Sequence, residues 1–210
     1  SSLELGRYGE ALEALEMATG LDPSDALPWY HKGSALEHLG RYPEAVAAYE
    51  EAIRLRPGDR AAMERRALLL VTLGRHEDAL TAAEEGIRVD LGNAGFPMAR
   101  GLALRELGRT GEAGGAFARA VELDPLRAAA WYHRGIALMD LGRNHEAKEA
   151  FRETLALEPR NALAFIGAGT VESRLREHEK AVENLEKALA LDPSNARGWF
   201  TRGVAERNLG

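Results

Sequence analysis

The chain has no cysteine among its 210 residues. That excludes a disulfide framework, a thiolate-ligated zinc site and a cysteine nucleophile. Aromatic residues make up only 6% of the chain, so any core is built mostly from alanine and leucine. No apolar run approaches the roughly 18 residues that mark a membrane-spanning helix. Positive charge is not in excess either, since the formal net charge is −6 at pH 7. A general nucleic-acid binder needs a basic face to neutralise phosphates, whereas arginines and acids alternate here. Neither nucleic acid nor a membrane span is expected.

What the sequence has is repetition. Leu39-Gly40-Arg41 returns as Leu73-Gly74-Arg75, Leu107-Gly108-Arg109 and Leu141-Gly142-Arg143, each time after 34 residues. The same step reaches back to Leu5-Gly6-Arg7 and on to Leu209-Gly210, while Leu175-Arg176 keeps the leucine and loses the glycine. Leu21-Asp22-Pro23 recurs in the same register as Leu55-Arg56-Pro57, Leu123-Asp124-Pro125, Leu157-Glu158-Pro159 and Leu191-Asp192-Pro193. A fixed period of this length is the mark of a repeat architecture.

Within one unit, residues 26–59, two helices are predicted. Trp29, Gly33, Leu36 and Leu39 are spaced for a first helix, and Gly40 stands where a left-handed cap residue belongs. Ala45, Tyr49, Ala52 and Ile53 are spaced for a second helix. Pro43 and Glu44 suit its first turn, and Pro57 stops it. Small residues fill fixed columns, such as Gly33, Ala67, Gly101, Gly135, Gly169 and Gly203. Glycine costs a helix about 0.5–1 kcal/mol relative to alanine, so its recurrence means that close packing decides that column.

The pattern carried by Trp29, Leu36, Ala45, Tyr49, Ala52 and Pro57 resembles the tetratricopeptide repeat. It returns through Trp131, Gly135, Ala147, Phe151 and Pro159, and through Phe165, Gly169, Ala181, Leu185 and Pro193. The resemblance implies an all-α fold, an α-solenoid in which antiparallel helix pairs stack into a right-handed superhelix. It also implies first helices on a concave face and second helices on a convex one. One array over residues 1–210 is expected, with complete repeats at 26–59, 60–93, 94–127, 128–161 and 162–195. Residues 1–25 would hold the second helix of a cut repeat, and 196–210 the first helix of another. That register makes the chain read as a segment of a longer array.

Departures from the pattern stand out at two places. The junction from Leu91 to Pro97 lacks the stop proline and puts Pro97 where Trp29 and Trp131 stand, as drift or as a local hinge. Glu172 replaces the leucine of the Leu36, Leu70, Leu104 and Leu138 column and should be half-buried in an ion pair near Arg176 or Lys180.

Little points to chemistry. The six histidines form no short-spaced ligand set, and His76 and His178 fall in a turn column shared with Tyr8 and Tyr42. Ser34 and Thr170 have no recurring base beside them. No metal, no cofactor and no catalysis is expected. The cytoplasm is the expected compartment.

Relatives of the resembled kind hold partner peptides along the concave face. The residues implied for that groove here are Tyr30, His31, Leu68, Met98, Leu102, Arg105, Tyr132, His133, Ile136, Met139, Ile166 and Phe200. Most are apolar, and a contiguous apolar patch facing water marks a binding surface. The expected partner is therefore a protein or peptide with an apolar or amphipathic segment, with Arg65, Arg105 and Arg174 as polar contacts. Two alternatives stand beside this scaffold reading. Head-to-tail self-association would join the complementary half-repeats through Leu3, Leu5 and Tyr8 at one end and Val204 and Leu209 at the other. Alternatively, the array would be the recruiting arm of a larger enzyme.

Overall fold

The structure is a computed structural model that describes residues 2–209, with side chains from residue 6 onward. The described residues form twelve α-helices and no strand. The helices are α1 (Ser2–Leu21), α2 (Ala26–His38), α3 (Tyr42–Leu55), α4 (Arg60–Thr72), α5 (His76–Val89) and α6 (Gly95–Glu106). They continue as α7 (Thr110–Leu123), α8 (Ala128–Asp140), α9 (Asn144–Leu157), α10 (Ala162–Arg174), α11 (His178–Leu191) and α12 (Ala196–Arg207). Two compact units result, Ser1–Leu107 and Gly108–Gly210. The fold is all-α, of the solenoid kind expected from the repeats.

Within the first unit α2 pairs with α3 and α4 with α5, each pair joined by a turn so short that its helices must run antiparallel. Here α3 packs on α4 and α5 on α6, and the first helices α4 and α6 also touch. The second unit repeats the scheme. There α8 pairs with α9 and α10 with α11, while α10 touches both α8 and α12.

Local chemistry sets the helix ends. Asp25, Asp59, Asn161 and Asn195 accept hydrogen bonds from the backbone N–H groups of Leu27, Ala62, Ala164 and Gly198, which caps four first helices. The second helices α3, α5, α7, α9 and α11 have no such cap. α11 starts after Glu177, and the other four start after an arginine that holds the acid three residues on: Arg41 with Glu44, Arg75 with Asp78, Arg109 with Glu112 and Arg143 with Glu146. These pairs are exposed and add little stability each, but they place an acid at the positive end of the helix.

Within each repeat the turn from first to second helix reverses through one left-handed residue. Gly40, Gly74, Gly108 and Gly142 have φ of 73–74°. At the corresponding place Arg176 has φ 63°, the one non-glycine residue with positive φ among those described. Arg41 N–H donates to the carbonyl of Leu36, and Glu177 N–H to that of Glu172, both at 2.9 Å. The turn is therefore kept at the cost of strain at Arg176.

Close approach inside the pairs explains the small-residue columns. A methyl group built on Gly33 would stand 2.8 Å from the Tyr49 ring, and one on Gly135 would stand 2.9 Å from that of Phe151. The irregular junction at residues 91–97 is packed by the same logic. Phe96 is fully buried, and a methyl group on Gly86 would lie 2.2 Å from its ring. Phe96 occupies the column that holds Ala62, Ala130 and Ala164 elsewhere, and Gly86 supplies the missing space.

Left-handed backbone costs a side-chain-bearing residue about 1–2 kcal/mol, part of which the greater freedom of glycine in the unfolded chain offsets. Arg176→Gly should therefore stabilise the chain by about 0.5–1 kcal/mol, whereas Gly142→Ala should destabilise it by about 1 kcal/mol. Urea unfolding followed by circular dichroism measures both.

Candidate functional site

The triplet Trp-Tyr-His occurs twice in the chain, at Trp29–His31 on α2 and Trp131–His133 on α8. The indole N–H of Trp29 donates to the carbonyl of Pro23 at 3.3 Å, and that of Trp131 to the carbonyl of Pro125 at 2.9 Å. This bond ties the first turn of the helix to the turn before it and fixes which way the tyrosine points. Tyr30 meets His31 edge-on, with ring centroids 5.3 Å apart, and lies 5.7 Å from the Tyr49 ring. Tyr132 repeats this arrangement at 5.1 Å from His133 and 6.1 Å from Phe151. Both tyrosines are half-buried, and neither hydroxyl has a hydrogen-bond partner among the described residues.

The other residues of the predicted groove divide into three groups. Leu68, Leu102 and Ile136 are half-buried, as a surface between helices and solvent requires. His31 is exposed, and Phe200 is 74% exposed. Met98, Met139 and Ile166, by contrast, are buried at 6%, 3% and 3% exposure. They offer no surface to a partner and serve as packing. Met98 belongs to the continuously buried stretch from Ala94 to Ala99. Met139 joins the core around Phe151 and Val171, and Ile166 the core around Leu185 and Ala205. His133 is half-buried and stacks on Phe117 at 5.4 Å, so its ring also serves the contact between successive helix pairs.

The expected polar contacts are already engaged. Arg65 is ion-paired with Glu37, which also accepts a hydrogen bond from the Tyr49 hydroxyl at 3.1 Å. Burial, reinforced by the Glu37 carboxylate, pushes the Tyr49 hydroxyl well above its ordinary pKa. Arg105 pairs with Glu106 at 2.8 Å, and Arg174 donates to the carbonyl of Met139 at 2.8 Å. Of the residues predicted for self-association, the side chains of Leu3 and Leu5 lie outside the described residues. Tyr8 is half-buried and stacks on His38 at 4.3 Å, Val204 is half-buried and Leu209 is exposed.

One polar group has no counterpart in the other complete repeats. Glu172 is buried at 5% exposure, deeper than half. Its partners are Asn184, whose amide donates at 2.7 Å, and Lys148 at 3.9 Å, rather than Arg176 or Lys180. Lys148 is shared with Glu177, 2.5 Å away. Hydrogen bonds from Lys148 and Lys180 hold the Glu177 carboxyl down at about 2, whereas burial raises that of Glu172. A raised carboxyl pKa means that the folded chain binds this proton more tightly than the unfolded chain does. The contribution of Glu172 to stability is then greatest at acidic pH and falls as pH rises through its folded pKa. Glu172→Gln should raise the melting temperature at pH 7, and its advantage over the unsubstituted chain should shrink towards pH 4. Thermal unfolding at the two pH values checks this.

Among the described residues no three metal-ligating side chains come together, and no helix is long and apolar enough to cross a membrane. No curated protein matches the chain in sequence. Among solved structures, it is similar to YrrB, described as a TPR protein with an unusual peptide-binding site. That match has 25% identity and a TM-score of 0.72, and covers 91% of this chain and 99% of that one. MamA from Desulfovibrio magneticus RS-1 is 27% identical, with a TM-score of 0.67 over 75% of this chain and 89% of that one. Cut9 in the APC/C hetero-tetramer Cut9–Hcn1 shares the fold at 19% identity, with a TM-score of 0.79 over 99% of this chain and 41% of that one. The Tetratricopeptide repeat family model matches residues 1–60, 41–94, 64–128, 98–162, 132–196 and 166–210. Repeats of this kind make a protein-interaction scaffold. The chain belongs to the tetratricopeptide repeat family.

Proposed function

We propose that the chain binds a peptide or helical segment of a partner protein on the exposed side of its first helices. The observation that carries this reading is the pair Tyr30 and Tyr132. Each ring is anchored by packing, and each hydroxyl lacks a partner among the described residues. Tyrosine in such a setting gives apolar contact and a free hydrogen-bonding tip at small entropic cost. In the first unit Leu68 and Leu102 add half-buried apolar surface, and in the second Ile136 and exposed Phe200 do so. The partner segment that fits is amphipathic, with apolar side chains on one side. The peptide-binding site named for YrrB is in keeping with a binding role of this class.

Buried aromatic anchors at interfaces typically contribute 2 kcal/mol or more each. Peptides selected from a random library on the unsubstituted chain should therefore lose affinity about tenfold or more on Tyr30→Ala or Tyr132→Ala, with helicity unchanged. Isothermal titration measures the loss. Full affinity in both variants would reject the first-helix site.

A further inference from the structure

Where the five other first helices α2, α4, α6, α8 and α12 place a cation, α10 of the repeat at residues 162–195 has none. The column reads Lys32, Arg66, Arg100, Arg134, Ala168 and Arg202. Four of these cations reach acids on a neighbouring second helix: Lys32 to Glu16 at 3.9 Å, Arg66 to Glu85 at 2.6 Å, Arg100 to Glu84 at 3.6 Å and Arg202 to Glu186 at 3.2 Å. Beneath them the complete repeats up to residue 161 keep leucine, as at Leu70, and an alanine on the second helix, as at Ala82. At Ala168 all of this changes together. The leucine becomes Glu172 and the alanine Asn184, and Lys148 enters a column that elsewhere reads Leu12, Val46, Leu80, Gly114 and Val182.

The outcome is a cleft of about 210 Å³ with Ala168 and Glu172 of α10 at its floor. Lys148, Arg152 and Leu155 of α9 form one wall and Asn184 of α11 the other. Both cations at the rim are already engaged, Lys148 with Glu177 at 2.5 Å and Arg152 with Glu149 at 2.8 Å. The group left short of donors is the buried Glu172 carboxylate. It receives one hydrogen bond, from Asn184, and a distant charge, from Lys148. A carboxylate accepts about four donors, and a buried one left under-supplied is costly. Guanidinium matches it best, because its planar fork donates two parallel hydrogen bonds to one carboxylate.

We propose that this cleft receives an arginine side chain from a partner protein segment, in the place that the chain's own cation fills in other repeats. The arginine stem lies along Leu155 and Ala168, and the guanidinium group meets Glu172. The site opens between the second helices α9 and α11, so it is independent of the tyrosine-bearing face of the first helices.

The test uses the full chain and the blocked peptide acetyl-Ala-Arg-Ala-amide, with a citrulline peptide as its neutral match. Binding is followed by the NMR signals of the Asn184 side-chain amide and the Glu172 backbone amide. The arginine peptide should shift both saturably and bind about tenfold or more tighter than the citrulline peptide. Ala168→Arg, which supplies the missing cation from within, should abolish the shift. Glu172→Gln, the milder variant, should weaken binding about tenfold or more. The proposal is overturned if the arginine peptide gives no saturable shift. Equal binding to Glu172→Gln would overturn it too. Tighter binding of free L-arginine than of the blocked peptide would refute a peptide partner, making this a small-molecule site.

Discussion

The packing of α8, α9 and α10 depends on how one second-helix ring is seated. Phe151 of α9 stands between two glycines, Gly135 of its own pair and Gly167 of the next first helix. Methyl groups built there would lie 2.9 and 2.5 Å from the ring. The ring is fully buried, and the core of Leu138, Met139 and Val171 gathers round it. Phe117 and Tyr49 sit in the same column and meet the next first helix differently. Phe117 stacks on His133, and the Tyr49 hydroxyl joins the Glu37–Arg65 pair. One position thus joins the helices of a pair and also joins that pair to its successor. The column is not a ring throughout, since Ala83 holds it in α5 and Leu185 in α11.

Much of this was legible in the sequence because the period fixes register. The helix predicted through Trp29, Gly33, Leu36 and Leu39 is α2, with Leu39 as its C-cap, and the one through Ala45, Tyr49, Ala52 and Ile53 is α3. Gly40 and its equivalents take the left-handed turn, and Arg176, singled out by its missing glycine, takes it under strain. Less legible was which groove residues would remain open. A column gives the direction of a side chain, but not how far its neighbours cover it. Tyr30 stays half-open while Ile166, in the same column, is closed over. Gly198 of α12 leaves room against it, with an added methyl group only 3.6 Å from Ile166 Cδ1. The partners of Glu172 were missed for a related reason. Lys148 lies on another helix 24 residues away, and only its own departure from an apolar column signals the link.

The surface divides by helix type. The first helices α2 and α8 present Tyr30 and Tyr132, whose rings pack near Tyr49 and Phe151 and whose hydroxyls have no hydrogen-bond partner among the described residues. Second helices carry many exposed arginine–acid pairs, each of which adds little to stability. At Glu172 that exterior is rewritten at four positions together, and a buried carboxylate lies at the floor of a cleft. Neither surface requires chemistry beyond recognition, which accords with the scaffold role of the family.

Phe151, seated between Gly135 and Gly167, holds α8, α9 and α10 together, and the double-mutant cycle of Gly167→Ala with Phe151→Leu probes that seat. Helix propensity alone would make Gly167→Ala stabilising by about 0.5–1 kcal/mol. If the ring is seated as described, the substitution should cost about 1–3 kcal/mol with Phe151 present and far less with leucine there. A stabilising Gly167→Ala, or the same cost in both backgrounds, would contradict the account.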